Sequence, residues 1–171
     1  PWSLTLKWNR DKDGNPTSLK NCASNVSAAL AHDRAWKGNI RLNSLSGMVE
    51  LWGGPVLAPE GPIPVALTDE WVTMIRNWFA QRPEERLQVD VSTAIMYEQL
   101  NAVAALNRYD PVKTYLDGCE WDGVPRIDTW TEKYLGAQLV SAAGDDITEY
   151  VRAVSAKWLI AACARTYDPG C

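Results

Sequence analysis

Apolar and polar positions in the first third of the chain follow the short period of β-strands, interrupted by one helical pattern. The alternation predicts strands at residues 3–8, 39–43 and 48–52, and a turn at residues 44–47 joins the last two as a hairpin. Between the first two strands, Val26 and Leu30 are spaced i, i+4, and Asn21 is the predicted N-cap of a helix that continues to His32. Four prolines within residues 55–64 then favour loop or extended chain, because proline supplies no backbone donor.

Helical spacing replaces this pattern from Thr68 onward. Thr68 is the predicted N-cap of a helix with acids in its first turn, and apolar residues recur from Trp71 to Phe79 at i, i+4, i+7 and i+8, ahead of Pro83. Further helices are predicted at residues 91–107, 111–116, 126–135 and 147–167, and Gly136 is the predicted stop of the third of these.

These elements predict an α+β, mainly α fold in two parts. A small N-terminal α/β subdomain of short strands and one helix occupies residues 1–66 and includes a proline-rich linker. A helical bundle occupies residues 67–171. The hydrophobic content of 46% over 171 residues is ordinary for a chain that buries a core.

The overall charge narrows the classes of function. The net charge is −4 and the isoelectric point about 5.0, whereas a stand-alone nucleic-acid binder usually carries a basic stripe and a high isoelectric point. Tight, non-specific DNA binding by the whole chain is therefore not expected, although a local basic face remains open. No apolar run approaches the roughly 18 residues of a membrane-spanning helix, and no signal pattern opens the chain, so we expect a cytoplasmic protein. Four cysteines without a CxxC pair predict free thiols.

Residue types that carry catalysis or bind metals are sparse. The single histidine, His32, has no recognisable nucleophile partner, so no catalytic residue is predicted. Asp11, Asp13 and Asn15 faintly resemble a calcium loop, but the sixth position is Pro16 and the twelfth is Cys22, so we interpret the segment as a solvated turn and predict no metal site. Nine tryptophans stand against one phenylalanine; most should be packing residues, and the alternative is that one or two stack on bases.

The densest motif is the segment at residues 121–126. Asp122-Gly123 is a turn pair, and Pro125 forces an extended entry into the next predicted helix. Trp121 is predicted to anchor this turn in the core. These residues are therefore interpreted as a structural motif.

Four cations are the candidates for contacts with nucleic acid or a neighbouring domain: Arg126, Arg152, Lys157 and Arg165. Arg126 lies at a predicted helix start, where the helix dipole disfavours a cation, so the alternative is a salt bridge to Glu120, Asp122 or Asp128. Arg152 and Lys157 are five residues apart, about 140° around a helix, so the last three cations do not form one stripe.

Residues 109–171 carry a recognisable pattern. It comprises Pro111-Val112, Tyr115-Leu116, the run Trp121-Asp122-Gly123-Val124-Pro125-Arg126-Ile127-Asp128-Thr129-Trp130, then Tyr134-Leu135-Gly136-Ala137, Tyr150-Val151-Arg152-Ala153-Val154 and Pro169-Gly170-Cys171. This pattern resembles the virulence-associated protein E family of phages, prophages and genomic islands, whose members carry a helicase-type ATPase of superfamily 3. In that family a GxxxxGK[ST] loop follows shortly after the Pro-Gly-Cys, and the present sequence contains no such loop.

The resemblance implies a non-catalytic region that precedes a replicative ATPase in a helicase or primase-helicase of a bacterial host. It would position the ATPase, help it assemble or guide DNA. The implied partners are the protein's own ATPase domain, DNA at low affinity, and further copies in a homo-oligomer of the full-length protein, with no membrane partner. No cofactor is expected in this region; ATP and magnesium would belong to the ATPase domain. The alternative is a stand-alone nucleic-acid-binding or origin-recognition module, and an independent enzyme is the weakest hypothesis.

The last predicted helix carries two further expectations. Val151, Val154, Trp158 and Ile160 should form its buried face. Residues 165–171 should form a hinge into the ATPase, because Pro169 ends the helix and a glycine follows. The stop after this helix and the absence of an initiator Met suggest a piece of a longer protein.

Overall fold

A computed structural model describes residues 5–81 and 88–170 of the chain. The chain forms two compact units, Pro1–Asp110 and Pro111–Cys171, referred to below as the N-terminal and C-terminal units. Their helices and small antiparallel sheets make the fold α+β and mainly α, as predicted. The unit boundary lies at 110/111, and the predicted boundary at 66/67 falls inside the N-terminal unit.

The N-terminal unit begins with a β-hairpin. Strand β1 (Trp8–Arg10) pairs antiparallel with β2 (Pro16–Leu19), and Trp8 lies opposite Leu19. The strand was predicted at residues 3–8, but the observed strand begins at residue 8, the last of the predicted ones. Residues 3 and 4 lie outside the described part of the chain. Asp11 closes the hairpin turn, because its carboxylate accepts backbone hydrogen bonds from Asp13 (2.9 Å) and Asn15 (2.8 Å).

Helix α1 (Ala23–His32) follows the hairpin and is held to it by one buried amide. The N-cap is Cys22 and not the predicted Asn21, whose side-chain oxygen accepts a hydrogen bond from the backbone N–H of Asp90 (3.0 Å). Asn25 in the first turn of α1 is 1% exposed and bonds to the backbone of the hairpin.

A three-stranded antiparallel sheet follows, in the order β3 (Ile40–Leu42), β4 (Val49–Leu51), β5 (Val65–Ala66). The β3–β4 hairpin confirms the prediction, with Ile40 opposite Leu51 and both fully buried. The third strand was not predicted, since it is two residues long and directly follows the proline-rich stretch. That stretch therefore returns the chain to the same sheet.

Two helices complete the N-terminal unit and confirm their predictions: α2 (Asp69–Ala80), with Thr68 as N-cap, and α3 (Thr93–Leu106). Helix α3 packs on α1, β3 and α2, so one core spans both sides of the proline-rich stretch. The predicted boundary at 66/67 is displaced for this reason. Pro83 lies outside the described residues. The largest fully buried side chains are Trp36, Phe79, Leu30, Ile40, Leu51, Ile75, Met96 and Leu100.

The C-terminal unit contains α4 (Pro111–Asp117), α5 (Trp130–Leu135) and α6 (Thr148–Tyr167), and both shorter helices pack on α6. Helix α4 begins at Pro111 as predicted. Helix α5 begins four residues later than predicted, and Gly136, at φ 66°, ends it as predicted. Among the described residues, no helix is long and apolar enough to cross a membrane.

Tyr109 ties the end of the N-terminal unit to its three-stranded sheet. Its hydroxyl donates to Glu50 Oε2 (2.5 Å), while Asn43 Nδ2 donates to Glu50 Oε1 (2.9 Å). The Tyr109 ring meets the Trp52 ring edge-on at 5.4 Å. Burial, followed by the hydrogen bond and the negative charge of Glu50, raises the pKa of Tyr109 to about 12.

This pKa predicts alkaline destabilisation. Because the folded-state pKa lies above the ordinary value of 10.0, the stabilisation is fully present below pH 10 and is lost as pH rises towards about 12. We expect Tyr109→Phe to cost about 1 kcal/mol of unfolding free energy at neutral pH and to flatten the loss above pH 10. Urea titrations from neutral to alkaline pH measure both effects, with Tyr97→Phe at an exposed position of α3 as the control. An unchanged alkaline slope in Tyr109→Phe would contradict this assignment.

Candidate functional site

The loop between α4 and α5 is organised around one carboxylate. Asp122 accepts a hydrogen bond from the backbone N–H of Val124 (3.0 Å), across Gly123 at φ 82°. Both of its oxygens also accept from Arg126, at 2.8 and 2.7 Å. The Arg126 side chain and the Val124 bond together hold the pKa of Asp122 at about 2. The salt-bridge interpretation of Arg126 is thereby confirmed, with Asp122 as partner.

Trp121 does not anchor this turn in the core, so that prediction is wrong. Its side chain is 80% exposed, and its Nε1 donates a long hydrogen bond to the carbonyl of Val124 (3.4 Å). The bidentate Asp122–Arg126 pair holds the turn closed, and no buried tryptophan takes part. Arg126 lies in the loop, paired with Asp122, and not at the predicted helix start, because α5 begins at Trp130.

Helix α5 is attached to α6 by polar contacts at one buried serine. Ser155 is 1% exposed; its carbonyl accepts a hydrogen bond from Trp130 Nε1 (3.1 Å), and its hydroxyl bonds with that of Thr131. The Trp130 and Trp158 rings lie 5.4 Å apart and tilted by 37°. These contacts fix the distance between the two helices but leave much of their apolar surface uncovered.

Helix α6 is therefore less buried than predicted. Of the predicted buried face, Val154 is 47% exposed, Trp158 61% and Ile160 58%, while Val151 is half-buried. Ser155 is its only buried residue among those the structure describes. Apolar residues occur around most of the circumference of α6, and the short α4 and α5 cover only part of it.

The uncovered surfaces form one groove with a volume of about 960 Å³. It is called the apolar groove below and is lined by Cys119, Trp121, Val124, Pro125, Arg126, Ile127, Trp130, Tyr134, Leu159, Ile160 and Cys163. The charged group in this lining, Arg126, is already paired with Asp122. The groove thus offers aromatic and aliphatic surface in a unit whose own core is small.

The four predicted cations do not converge on one site. Arg126 lines the apolar groove, whereas Arg152 Nε lies 3.6 Å from Glu132 Oε1. Lys157 and Arg165 are exposed on α6 at other angles around the helix. Their role in contacts with nucleic acid or a neighbouring domain stays a prediction. The sequence did not indicate that Trp121, Trp158 and Ile160 are exposed, and only the packing in the structure shows it.

The end of α6 is fastened within the C-terminal unit. The Tyr167 hydroxyl donates to Asp117 Oδ1 at the end of α4 (2.6 Å), and this hydrogen bond is the first cause that raises the pKa of Tyr167 to about 12. The helix ends at Tyr167, before Asp168. The hinge predicted at residues 165–171 stays a prediction. Residues 165–167 belong to α6, so only the residues after Tyr167 could form such a hinge, and Cys171 lies outside the described part.

Most tryptophans serve packing, as predicted. Six of the eight that the structure describes are buried or half-buried: Trp8, Trp36, Trp52, Trp71, Trp78 and Trp130. Trp121 and Trp158 are exposed, and both belong to the C-terminal unit. Among the described tryptophans, the two that are exposed enough to stack on bases therefore both lie in the C-terminal unit.

The C-terminal unit also carries the likeness to known proteins. Residues 116–171 match the model of the virulence-associated protein E-like domain. The family resemblance drawn from residues 109–171 is confirmed over this region. No curated protein matches the chain. The matched region includes the Asp122–Arg126 turn, α5 and α6, and thus the whole lining of the apolar groove.

Proposed function

We propose that this chain is a non-catalytic region of a phage- or mobile-element-type replicative helicase or primase-helicase of superfamily 3. It positions or assembles the ATPase domain of the same protein and guides DNA towards it. Support comes from the match of residues 116–171 to the virulence-associated protein E-like domain. ATP and magnesium belong, in this proposal, to the ATPase domain, since the sequence carries no glycine-rich phosphate loop with a lysine.

The apolar groove is the observation that carries the positioning role. Contiguous exposed apolar patches mark interaction sites, and the buried centres of protein interfaces are rich in aromatic residues and poor in charge. The groove has this composition, with Trp121, Trp158 and Ile160 all more than half exposed at or beside it. A folded domain that lays apolar side chains into the groove would bury all three.

A stand-alone nucleic-acid-binding module is the second candidate. The exposed tryptophans favour it, because aromatic rings stack on unpaired bases. The charge of the C-terminal unit opposes it: residues 111–171 contain six Lys and Arg against nine Asp and Glu. Arg126 and Arg152 are also engaged by Asp122 and Glu132. A protein partner therefore suits the groove better than a phosphate backbone.

The docking role predicts a strong effect of one substitution. Ile160→Glu should weaken binding of the chain to the ATPase domain of the same gene at least tenfold, since it puts a charge into the apolar lining of the groove; a tenfold loss is about 1.4 kcal/mol. Folding should be almost unaffected, because Ile160 is 58% exposed. Tyr150→Glu is the matched control, on the same helix and 69% exposed but outside the groove lining.

Calorimetric titration of the two domains measures these affinities. Equal affinities for Ile160→Glu and Tyr150→Glu would show that the groove is not the docking surface. A gene that encodes no GxxxxGK[ST] loop after residue 171 would overturn the proposal as a whole. Titration of the chain alone with magnesium-ATP should show no binding, and micromolar affinity would contradict the non-catalytic assignment.

A further inference from the structure

We propose that the outer face of the β1–β2 hairpin is a binding surface for the phosphate backbone of nucleic acid, with Lys7 and Lys20 as its central cations. This inference rests on the proposed function and assigns its DNA-guiding part to a specific surface. It rests on the N-terminal unit alone and does not depend on the apolar groove.

The first support is the distribution of charge along the chain. Residues 5–41 contain seven Lys and Arg against three Asp, whereas the other residues contain ten Lys and Arg against eighteen Asp and Glu. An acidic protein thus concentrates its basic charge in one segment. Such asymmetry is typical of chains in which one part contacts a polyanion. Four of the seven cations lie in or next to the hairpin: Lys7, Arg10, Lys12 and Lys20.

The second support is the register of the hairpin. Trp8 pairs with Leu19, so Lys7 and Lys20 are the next cross-strand pair, and the backbone N–H of Lys20 donates to the carbonyl of Lys7 (2.9 Å). Leu6 and Leu19 are buried, whereas Lys7 and Lys20 are exposed. Both lysines therefore project from the solvent-facing side of the ribbon.

Like charges directly opposite each other on one face of a β-ribbon are destabilising. Within the described part of the chain, neither ammonium group has an ion-pair partner. The next cross-strand pair on this face is Asn9 with Ser18, whose side chains are bonded at 3.0 Å. The strand face thus holds two unpaired cations and two neutral polar groups, with no carboxylate among them.

A buried side chain keeps the two lysines together. The amide of Asn25 accepts a hydrogen bond from the backbone N–H of Lys7 (2.8 Å) and donates to the carbonyls of Lys7 (2.8 Å) and Lys20 (3.0 Å). Because Asn25 belongs to α1, the hairpin is clamped to a core helix at the point where the cations lie. The positive pair is therefore built into the fold and is not a chance meeting of mobile side chains.

The start of α1 adds to the positive potential at this point. Helix α1 has no acidic residue in its first turn and no side-chain cap, so its positive dipole end is not neutralised locally. Cys22 lies between Lys20 and α1; although partial burial acts to raise its pKa, bonds with Ser24 and Asn25 and the charge of Lys7 lower it overall.

A two-stranded ribbon also has the width to enter the DNA major groove.

The test is the affinity of the chain for a short fluorescent oligonucleotide, single-stranded or duplex, measured by anisotropy at about 50 mM and about 200 mM salt. The double variant Lys7→Gln/Lys20→Gln should weaken binding and reduce the salt slope by roughly 1 for each lysine removed. Lys113→Gln/Lys133→Gln, two exposed lysines of the C-terminal unit that are not among the candidate cations, is the charge-matched control and should bind as the wild type does. Lys7→Arg/Lys20→Arg should retain binding.

Three results would overturn the proposal: no salt-dependent binding by the wild type, unchanged binding by the Lys7→Gln/Lys20→Gln variant, or an equal loss in the control. Thermal melts of all variants accompany the titration. The Gln variant should be at least as stable as the wild type, because it removes a repulsion. Loss of ATPase-domain docking through the apolar groove would leave these results unchanged, so the two proposals fail separately.

Discussion

Trp36→Ala is expected to destabilise the N-terminal unit by about 3–5 kcal/mol. Trp36 is fully buried; its ring stacks on Phe79 at 6.1 Å and meets the edge of Trp78 at 5.4 Å. Removing it would leave a large cavity between the loop after α1 and the end of α2. Among the residues that the structure describes, Trp36 Nε1 has no hydrogen-bond partner, so the expected loss comes from packing.

Urea denaturation followed by far-ultraviolet circular dichroism measures the loss. Trp121→Ala is the matched control: the same residue type is deleted, but Trp121 is 80% exposed, so the change should stay within about 0.5 kcal/mol. Comparable losses in the two variants would mean that Trp121 does reach a core, against the structure.

Gly54→Ala is expected to cost about 2–5 kcal/mol through strain and overpacking together. Gly54 has φ 130°, a conformation that L-residues rarely adopt, and an added Cβ would lie 2.7 Å from Cζ3 of Trp36. The Trp36 ring cannot yield, because Phe79 and Trp78 pack against it.

Gly47→Ala separates the two causes. Gly47 has φ 70° but nothing within 4 Å of an added Cβ, so it should show the backbone strain alone, about 1–2 kcal/mol. The same urea titration gives both values. If Gly54→Ala costs no more than Gly47→Ala, the close approach to Trp36 contributes nothing.

The two predictions share one cause, since both depend on the packed ring of Trp36. Double-mutant analysis can test this: in Trp36→Ala the clash at Gly54 disappears, so Gly54→Ala should cost only its strain there. A coupling free energy near zero between residues that touch would contradict the contact.

Elements specified by local patterns were predictable from the sequence. The β3–β4 hairpin and α2 and α3 were predicted within one to two residues at each end, because alternation, caps and helical spacing act over neighbouring residues. Strand β2 was missed because Pro16 and the polar residues after it look like the continuation of a turn. The unit boundary was misplaced because proline-rich composition does not show that β5 rejoins the sheet.

Burial in the C-terminal unit could not be predicted in the same way. A helix such as α6, with apolar residues at many angles, does not indicate which face its neighbours cover. Trp158 and Ile160 are exposed because the short α4 and α5 cover only part of α6, and Trp121 is exposed beside the turn that holds the Asp122–Arg126 pair. A salt bridge of Arg126 was predictable from the sequence, but the sequence left Glu120, Asp122 and Asp128 open as partners, and only the structure shows that it is Asp122.

The basic surface was hidden for a different reason. Lys7 and Lys20 are thirteen positions apart in the sequence and meet only through the strand register, and Asn25 clamps them from another element. The net charge of −4 masks the basic segment. A count of charge by segment, rather than over the whole chain, would have indicated it.

The central claim is that the apolar groove of the virulence-associated protein E-like region docks the ATPase domain of the same protein. The most direct test is hydrogen–deuterium exchange of this chain with and without that domain in excess. We expect slowed exchange at residues 121–127, along the groove loop, with the exchange of the β1–β2 hairpin unchanged. Unaltered exchange in that loop at saturating ATPase domain, or protection confined to the N-terminal unit, would contradict the account.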